Sequence, residues 1–269
     1  MRRSPLAVLA AAAAVAIALT GCAGSSAGSD SGSDGGNEYG LVTPGTLTVA
    51  TEGTYRPFSF HEGGSGDLTG YDVDIINAVA KKLDLKVKFQ ETQWDAIFAG
   101  LDAGRTDLIA NQVSINPERE KKYLFSTPYT SSPGVLVVKD STKDITDFAD
   151  LKGKKSAQSL TSNWYAVAEE NGADVEAVEG WAQAVALLEQ GRVDATINDK
   201  LTYLDYVNTQ GDSGIRVAAE TDDPSLSAFA LAKDKTKLVT AIDGALEDLA
   251  ADGTIASIGE KYFGADVSK

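Results

Sequence analysis

The feature that most constrains the fold is an internal repeat. Residues 94–111 (WDAIFAGLDAGRTDLIAN) align with residues 181–198 (WAQAVALLEQGRVDATIN), and Trp, Gly, Arg, Asp and Asn coincide at five positions. Each copy has the pattern of a helix ended by glycine, a tight turn and a short buried strand. A chance match between two common helix–strand units is the alternative. The coincidence of these five residues in one register favours a true repeat, which predicts two similar lobes, each with its own sheet.

Strand-like and helix-like segments alternate through the rest of the chain. Residues 47–50 and 86–89 have the composition of strands, and 71–83 places apolar side chains on one helical face. The pattern also predicts a strand at 107–110 and helices at 95–103, 163–171, 235–249 and 254–262. Such alternation predicts an α/β fold of mostly parallel sheets flanked by helices.

The N-terminal residues have the features of a bacterial export signal. Two arginines precede an apolar stretch at 6–19, which is too short for a permanent membrane-spanning helix. The tetrapeptide LTGC that follows resembles the lipobox of bacterial lipoproteins, and its Cys22 is the one cysteine of the chain. That resemblance implies a signal peptide at 1–21 and a lipid on Cys22 that anchors the protein at the outer face of the cytoplasmic membrane. An ordinary signal peptide with a chance cysteine is the alternative.

Composition excludes several classes of function. Residues 22–39 are rich in glycine and serine, carry no large apolar side chain before Tyr39, and are predicted to form a flexible tether. Lysine and arginine total 24 against 39 acidic residues, a net charge of −15, so nucleic-acid binding is excluded. One cysteine and one histidine rule out an internal disulfide and a Cys/His zinc site. We predict no cofactor or metal.

The repeat also indicates where a ligand would bind. In open α/β sheets, ligands lie beyond the carboxyl ends of the strands. The two repeated strands end at Asn111-Gln112 and at Asn198-Asp199. If the lobes face each other, these polar ends converge on one cleft, which is a common position for a binding site.

Several motifs carry a resemblance to a known family. They are ATEGTYRPF at 50–58, GYDVD at 70–74, PER at 117–119, FSTPY at 125–129, ADGT at 251–254 and KYFG at 261–264. Over roughly 45–265 the chain resembles the family 3 solute-binding proteins of bacterial ABC importers for polar amino acids. The resemblance implies a two-lobed, type II periplasmic-binding-protein fold without enzymatic activity. It also implies a monomer that delivers its amino acid to the permease and ATPase subunits of an importer.

The same resemblance implies that the chain crosses between the lobes twice. The first lobe would comprise 40–133 and 226–269, and the second lobe would comprise 134–225. The crossings are expected at Pro133-Gly134 and at 223–225. Opening and closing about them is the expected motion, with ligand favouring the closed state.

The resemblance assigns one group of residues to the ligand's carboxylate. Arg119 matches the family's carboxylate-binding arginine, whose planar fork can hold both oxygens; an ordinary surface arginine is the alternative. Ser114 matches an assisting hydroxyl. Thr161 and Ser162 precede the helix predicted at 163–171, whose free N–H groups suit a carboxylate. Ser162 could also serve simply as a helix cap.

A second group is assigned to the ammonium and to the body of the ligand. Asp199 matches the carboxylate that binds the ammonium, although an aspartate at this point could only cap the next helix. Tyr55 and Trp94 match aromatic positions that pack on the ligand, with core packing as the alternative for Trp94. Glu52 and Phe60 are further lining candidates.

Three segments narrow the choice of ligand. ETQWD at 91–95, IANQV at 109–113 and AQSLTSN at 157–163 resemble cystine- and cysteine-binding members, so we expect L-cystine first and L-cysteine second. Asn111 is included among the ligand-binding residues. The amides of Gln112, Asn163 and Gln158 could serve either charge at the far end of cystine, and would equally suit glutamine.

An enzyme is the alternative from a different class of function. The chain also resembles same-fold enzymes of the cyclohexadienyl dehydratase type, which need a positioned general acid. Glu52 and Asp199 are the carboxyl groups that the cleft could offer for that role. Incubation with prephenate would test it.

Overall fold

The computed structural model describes residues 37–211 and 213–269, so the predicted signal peptide, Cys22 and most of the predicted tether lie outside the described residues. The strands are β1 (Thr46–Thr51), β2 (Thr54–Tyr55), β3 (Ser59–His61), β4 (Leu68–Thr69), β5 (Lys86–Glu91), β6 (Leu108–Ser114), β7 (Tyr123–Phe125), β8 (Thr130–Ser132), β9 (Gly134–Lys139), β10 (Lys155–Gln158), β11 (Asp174–Ala177), β12 (Ala195–Asp199), β13 (Ile215–Glu220) and β14 (Ser225–Ala232). The α-helices are α1 (Tyr71–Lys82), α2 (Trp94–Asp102), α3 (Pro117–Lys122), α4 (Asn163–Glu170), α5 (Trp181–Glu189), α6 (Lys200–Gln210), α7 (Thr236–Ala251) and α8 (Thr254–Phe263).

The strands form two large sheets, which define two lobes. The first sheet has the order β5-β1-β6-β14-β7, with β8 also paired to β14, and the second has the order β11-β10-β12-β9-β13. A small third sheet, β2-β3-β4, belongs to the segment between β1 and α1. We call each large sheet with its packed helices the first lobe and the second lobe. The predicted two-lobed α/β fold is therefore confirmed.

Each large sheet is mixed, which corrects the prediction of mostly parallel pairing. β1 runs parallel to β5 and β6, and β10 runs parallel to β11 and β12. The remaining pairs, which involve β14 in the first sheet and β9 in the second, are antiparallel. Helical crossovers keep successive strands parallel. β9 and β14 instead enter their sheets directly from the other lobe, so they run in the opposite direction.

The chain passes between the two sheets twice. Only Pro133 separates β8 of the first sheet from β9 of the second, and residues 221–224 lead from β13 back to β14. The two passages lie side by side, because the backbone N–H of Thr221 donates to the carbonyl of Gly134 at 2.9 Å. Two adjacent short connections of this kind form a hinge.

The internal repeat is a structural repeat. Trp94 and Trp181 each begin a helix, and Gly104 and Gly191 follow these helices with φ of 64° and 69°. This left-handed conformation is easiest for glycine and lets the chain turn directly into β6 or β12. The helices predicted from sequence begin and end within two residues of those observed. The strand predicted at 107–110 continues four residues further, to Ser114.

Apolar side chains of the first sheet pack under three helices. Leu47 and Val49 of β1 are fully buried and belong to one cluster with residues of α1, α7 and α8. The alternating apolar positions of these helices form their buried faces. No helix of the described ranges is both long and apolar enough to cross a membrane.

Candidate binding cleft

Most of the predicted ligand-binding residues line one cavity between the lobes, which we call the main cavity. Its volume is about 260 Å³. Nine of the predicted residues line it, six from the first lobe and three from the second: Glu52, Tyr55, Trp94, Asn111, Gln112, Ser114, Ser162, Asn163 and Asp199. β6 and β12 both end at this cavity, as expected for a site beyond the carboxyl ends of the strands.

Arg119 and Thr161 line a neighbouring cavity of about 410 Å³ instead. Ser162 and Asn163 line both cavities, so the two spaces adjoin at the start of α4. Phe60 lines neither: its ring lies under the guanidinium of Arg56, at 3.9 Å from the centroid. Gln158 also lines neither and donates its amide to Ser156 at 3.1 Å.

The guanidinium of Arg119 is buried without an acidic partner. The side chain is 8% exposed and lies beside the rings of Trp94 and Phe98, at 5.4 and 5.3 Å from their centroids. Its Nη1 donates to the carbonyl of Ser114 at 2.9 Å and its Nη2 to that of Thr161 at 3.0 Å. Burial lowers the pKa of Arg119 to about 10. Among the described residues no carboxylate pairs with this cation, so it can accept an anion.

Local capping explains how Arg119 is positioned. Pro117 begins α3, and the side chain of Asn116 accepts a hydrogen bond from the backbone N–H of Arg119 at 2.8 Å. An asparagine cap followed by proline is a strong helix start. This cap fixes the start of α3 shortly after the end of β6. Arg119, in the first turn of α3, is buried there and not on the surface.

Asp199 is both a helix cap and a cleft carboxylate. It is 5% exposed, and its Oδ1 accepts from the N–H of Leu201 at 2.8 Å and from the hydroxyl of Ser132 at 2.7 Å. Both contacts use the same oxygen, which leaves Oδ2 for another donor. Burial raises the pKa of Asp199 to about 6, because few groups compensate its charge. A cationic group of a ligand would favour the charged form.

Glu52 is a second buried carboxyl of the main cavity. Its Oε2 accepts from the amide of Asn111 at 2.6 Å, and the Oδ1 of Asn111 accepts from the N–H of Glu52 at 2.9 Å. Burial raises the pKa of Glu52 to about 7, the hydrogen bond from Asn111 opposes that shift, and the charges of Asp95 and Glu179 add to it. Glu52 therefore gains or loses a proton near neutral pH.

Gln112 is held by a residue that the sequence analysis did not select. Asp72 accepts from the backbone N–H and the side-chain amide of Gln112, both at 2.6 Å. These bonds hold Gln112 at a φ of 49°, a left-handed conformation that non-glycine residues adopt only where their surroundings fix it. Asp72 lies in the GYDVD motif, so the motif was the available signal for this positioning role.

Polar side chains join the lobes across the cleft. The hydroxyl of Tyr55 donates to Asn198 at 2.9 Å, and that of Ser114 donates to Asn163 at 3.1 Å. Burial raises the pKa of Tyr55 well above its ordinary value, so its hydroxyl stays neutral. Arg119 of the first lobe also donates to the carbonyl of Thr161 in the second lobe. These hydrogen bonds between the lobes show that the cleft is closed.

Two further contacts lie at the rims of the cleft. On one rim Arg56 pairs with Asp205 of α6, with Nε to Oδ2 at 3.2 Å. On the other rim Asp95 of α2 accepts from the hydroxyl and the backbone N–H of Thr161, at 2.8 and 3.1 Å. Thr161 thus bridges the lobes.

The start of α5 contributes lining residues that the sequence analysis missed. Glu179, Gly180, Trp181 and Gln183 all line the main cavity. The repeat contained the signal, because Trp181 occupies the position of Trp94. The described residues include no cluster of histidine, cysteine and carboxylate side chains suited to a metal ion.

Comparison of the amino-acid sequence with known proteins identifies similar proteins. Residues 47–265 match the model of the bacterial extracellular solute-binding proteins, family 3. The L-cystine-binding protein TcyA of Bacillus subtilis (strain 168) is 51% identical over 225 residues, which cover 84% of this chain and 84% of that protein.

Two solved structures bear on the state of the cleft. The L-cystine solute receptor of Neisseria gonorrhoeae, in the unliganded open conformation, is 45% identical, covers 83% of this chain and 95% of its own, and superposes with a TM-score of 0.57. An ancestral arginine-binding protein bound to glutamine is 35% identical, with coverage of 82% and 99%, and has a TM-score of 0.78. The receptor in the open conformation thus has the more similar sequence but the lower TM-score, whereas the lobes described above are closed.

Proposed function

Because the chain belongs to the bacterial extracellular solute-binding proteins of family 3, we propose that its closed cleft captures a polar amino acid for an ABC importer. The preferred ligand in this proposal is L-cystine, followed by L-cysteine. The permease and ATPase subunits of the importer would receive the bound solute.

The observation that carries the proposal is the pairing of charges at the cleft. Among the residues that the structure describes, Arg119 is a buried cation without an acidic partner, and Asp199 is a buried carboxylate with one oxygen left unbonded. Such groups are costly to bury unless a ligand compensates them. A free amino acid offers a carboxylate and an ammonium a few ångströms apart, which is the complementary pair.

The carboxylate end is assigned to Arg119, Ser114 and the start of α4. Ser162 caps α4 by accepting from the N–H of Trp164 at 3.1 Å, and the N–H of Tyr165 donates to the carbonyl of Ser162 at 3.2 Å, so the N–H of Asn163 remains for a carboxylate. Asn163 lines both cavities and lies at the same turn. Thr161 would close this end through its contact with Asp95.

The ammonium end is assigned to Asp199, with Tyr55 and Trp94 packed on the body of the ligand. Aromatic walls exclude water and so strengthen the charge pairs beside them. Glu52, Asn111 and Gln112 would face the far end, where cystine carries a second ammonium and carboxylate. Phe60 is assigned a supporting role through Arg56, in line with its position under that guanidinium.

The choice of cystine rests on similarity together with the polar far end of the cavity. TcyA and the gonococcal receptor are named for L-cystine, and both are more than 40% identical to this chain. Glutamine is the main competitor, because an ancestral arginine-binding protein that superposes with a TM-score of 0.78 is bound to glutamine. The matching curated relatives are binding proteins and not enzymes, so the dehydratase alternative has no support from them.

Competition binding tests the ligand. Calorimetry with the purified domain should show L-cystine binding most tightly and L-cysteine second, with glutamine and arginine at least tenfold weaker than cystine. If another amino acid binds at least tenfold tighter than both cystine and cysteine, the cystine proposal is wrong, and an importer for that amino acid takes its place.

The domain organisation and the anchor complete the proposal. We propose a signal peptide at 1–21, a lipidated Cys22 on a tether to residue 39, a first lobe of 40–133 and 226–269, and a second lobe of 134–225, acting as a monomer at the outer face of the cytoplasmic membrane. Cys22→Ser should abolish fatty-acid labelling while ligand affinity stays unchanged. An unlabelled wild type, or a labelled Cys22→Ser variant, would contradict the anchor.

A further inference from the structure

All three tryptophans of the chain line the main cavity: Trp94, Trp164 and Trp181. Trp94 begins α2 in the first lobe and Trp181 begins α5 in the second, at equivalent positions of the repeat. Two indoles therefore border the same space from opposite lobes. The family motifs named above include Trp94 but not Trp181.

We propose that Trp181 determines specificity by forming the second-lobe wall of the binding site and contacting the part of the ligand beyond the length of cysteine. This inference rests on the proposed function, since it concerns the same cleft. It adds Trp181 to the residues that contact the ligand, and it specifies the size and chemical class of that ligand. The family motifs supply neither.

The packing of Trp181 holds its ring in place without a ligand. The ring meets Tyr206 of α6 edge to face, with centroids 5.8 Å apart and planes at 84°. The hydroxyl of Tyr206 in turn donates to Glu189 at 2.7 Å. A wall that is already ordered loses little entropy when a ligand binds against it.

The start of α5 approaches the first lobe closely. Gly180 precedes Trp181, and a β-carbon added to it would lie 3.9 Å from Oε1 of Glu52. The cavity at this point is therefore bordered by a carboxyl of the first lobe and the exposed carboxylate of Glu179. These groups favour a ligand whose far end carries an ammonium.

The indole nitrogens of Trp94 and Trp181 are unsatisfied in this closed structure. Nε1 of Trp94 and Nε1 of Trp181 are both buried and have no hydrogen-bond partner among the described residues. A buried N–H without a partner is costly, and such groups are rare in native proteins.

These features together define a class of ligand. Indole rings make favourable contacts with polarisable sulfur, and their faces attract ammonium groups. Carboxyls beside Trp181 suit a second ammonium. The subsite therefore fits an α-amino acid whose sulfur-containing side chain ends in a second charged head, whereas cysteine is too short to reach it.

Truncation of Trp181 tests the inference by comparing a long ligand with a short one. Trp181→Ala should weaken L-cystine binding at least tenfold and change L-cysteine binding less than threefold in calorimetry. Tyr203→Ala is the matched control, because Tyr203 packs on the same core cluster as Trp181 but does not line the cavity. It should change both affinities less than threefold. Equal losses for cystine and cysteine in Trp181→Ala, or no loss for either, would overturn the proposal.

Fluorescence separates this inference from the proposed function. In a Trp94→Phe/Trp164→Phe variant, Trp181 is the one remaining tryptophan. Its emission should shift when the variant is saturated with whichever amino acid stabilises the wild type. An amino acid that also stabilises this variant but leaves its emission unchanged overturns the role of Trp181. A wild type that binds glutamine but neither cystine nor cysteine refutes the cystine proposal and the ligand class inferred for this subsite, and one that binds no amino acid refutes the proposed function as well.

Discussion

The two copies of the repeat use one aspartate in the same way. The backbone N–H of Thr48 donates to Oδ2 of Asp107 at 2.7 Å, and that of Lys155 donates to Oδ2 of Asp194 at 2.8 Å. In the first lobe this hydrogen bond joins the turn before β6 to β1, and in the second lobe it joins the turn before β12 to β10. The shared Gly-Arg-x-Asp sequence thus has a common structural cause.

The surroundings of the two copies differ. Asp107 is fully buried and also accepts from the N–H of Val42 at 2.7 Å, whereas Asp194 is exposed. Trp94 is 8% exposed, whereas Trp181 is only partly buried. The first lobe has α7, α8 and an N-terminal segment packed around its sheet, and the second lobe lacks such cover within the described residues. The same local pattern therefore makes a buried scaffold in one lobe and a more exposed cleft wall in the other.

The largest expected effects come from the charges that each lobe brings to the cleft. Arg119→Lys keeps the charge of the first lobe but loses the fork, and Asp199→Asn removes the charge of the second lobe. Loss of one partner of a buried charge pair typically costs about 2–5 kcal/mol. We expect each change to weaken amino-acid binding at least tenfold in calorimetry.

Matched variants at exposed repeat positions control for indirect effects. Arg105→Lys and Asp194→Asn make the same chemical changes away from the cleft. They should leave affinity within about twofold of the wild type, since exposed polar changes have small effects. Unchanged binding in Arg119→Lys with an intact circular dichroism spectrum would refute its role.

Stability should separate the two aspartates of the repeat. Asp107→Ala leaves the N–H of the buried Thr48 without an acceptor, at about 1–3 kcal/mol, and also removes the acceptor of the N–H of the more exposed Val42. Asp194→Ala affects an exposed site, where water replaces the carboxylate, and should cost less than about 1 kcal/mol. Urea unfolding followed by circular dichroism measures both. Equal losses in the free energy of unfolding would contradict the prediction that the buried Asp107 contributes more to stability than the exposed Asp194.

Much of this comparison could be predicted from the sequence, because local patterns determine it. The repeat predicted the helices that begin at Trp94 and Trp181, and the end of its second strand placed Asp199 at the cleft. The direction of β9 and β14 could not be predicted, since it depends on how the chain returns from the other lobe. The partners of Arg119, the contact of Asp72 with Gln112 and the burial of Asp107 also depend on packing between distant segments.

The pH dependence of stability should reflect the buried carboxyls of the cleft. Burial raises the pKa of Glu52 and of Asp72 to about 7 and that of Asp199 to about 6. Between the unfolded values near 4 and these values, the native state binds more protons than the unfolded chain. Stability therefore falls as pH rises through this range. The thermal midpoint of the ligand-free protein should be lower at pH 8 than at pH 5 in calorimetry.

Variants assign this pH dependence to the cleft. Asp199→Asn should reduce the decrease in thermal midpoint, because it removes one of the shifted carboxyls. The exposed Asp194→Asn changes net charge equally and should leave the decrease as it is. An equal reduction in both variants would attribute the effect to net charge rather than to the cleft.

The smallest expected effect concerns the ion pair at the rim of the cleft. Arg56 and Asp205 join the lobes, but their side chains are 47% and 14% exposed. Exposed pairs typically contribute between about 0 and 1 kcal/mol. Arg56→Ala should therefore weaken binding no more than about fivefold, chiefly by destabilising the closed cleft.

A variant of Asp205 and a control ion pair elsewhere show whether Arg56→Ala weakens binding by destabilising the closed cleft. Asp205→Asn should reproduce the effect of Arg56→Ala, and the double variant should lose no more than either single one, because both changes remove one contact. The loss should shrink at high salt, which screens exposed charges. Lys154 and Asp144 form an exposed pair at 2.6 Å within the second lobe, so Lys154→Ala should leave affinity unchanged. A comparable loss in Lys154→Ala, or additive losses at the rim, would show that the pair does not act by joining the lobes.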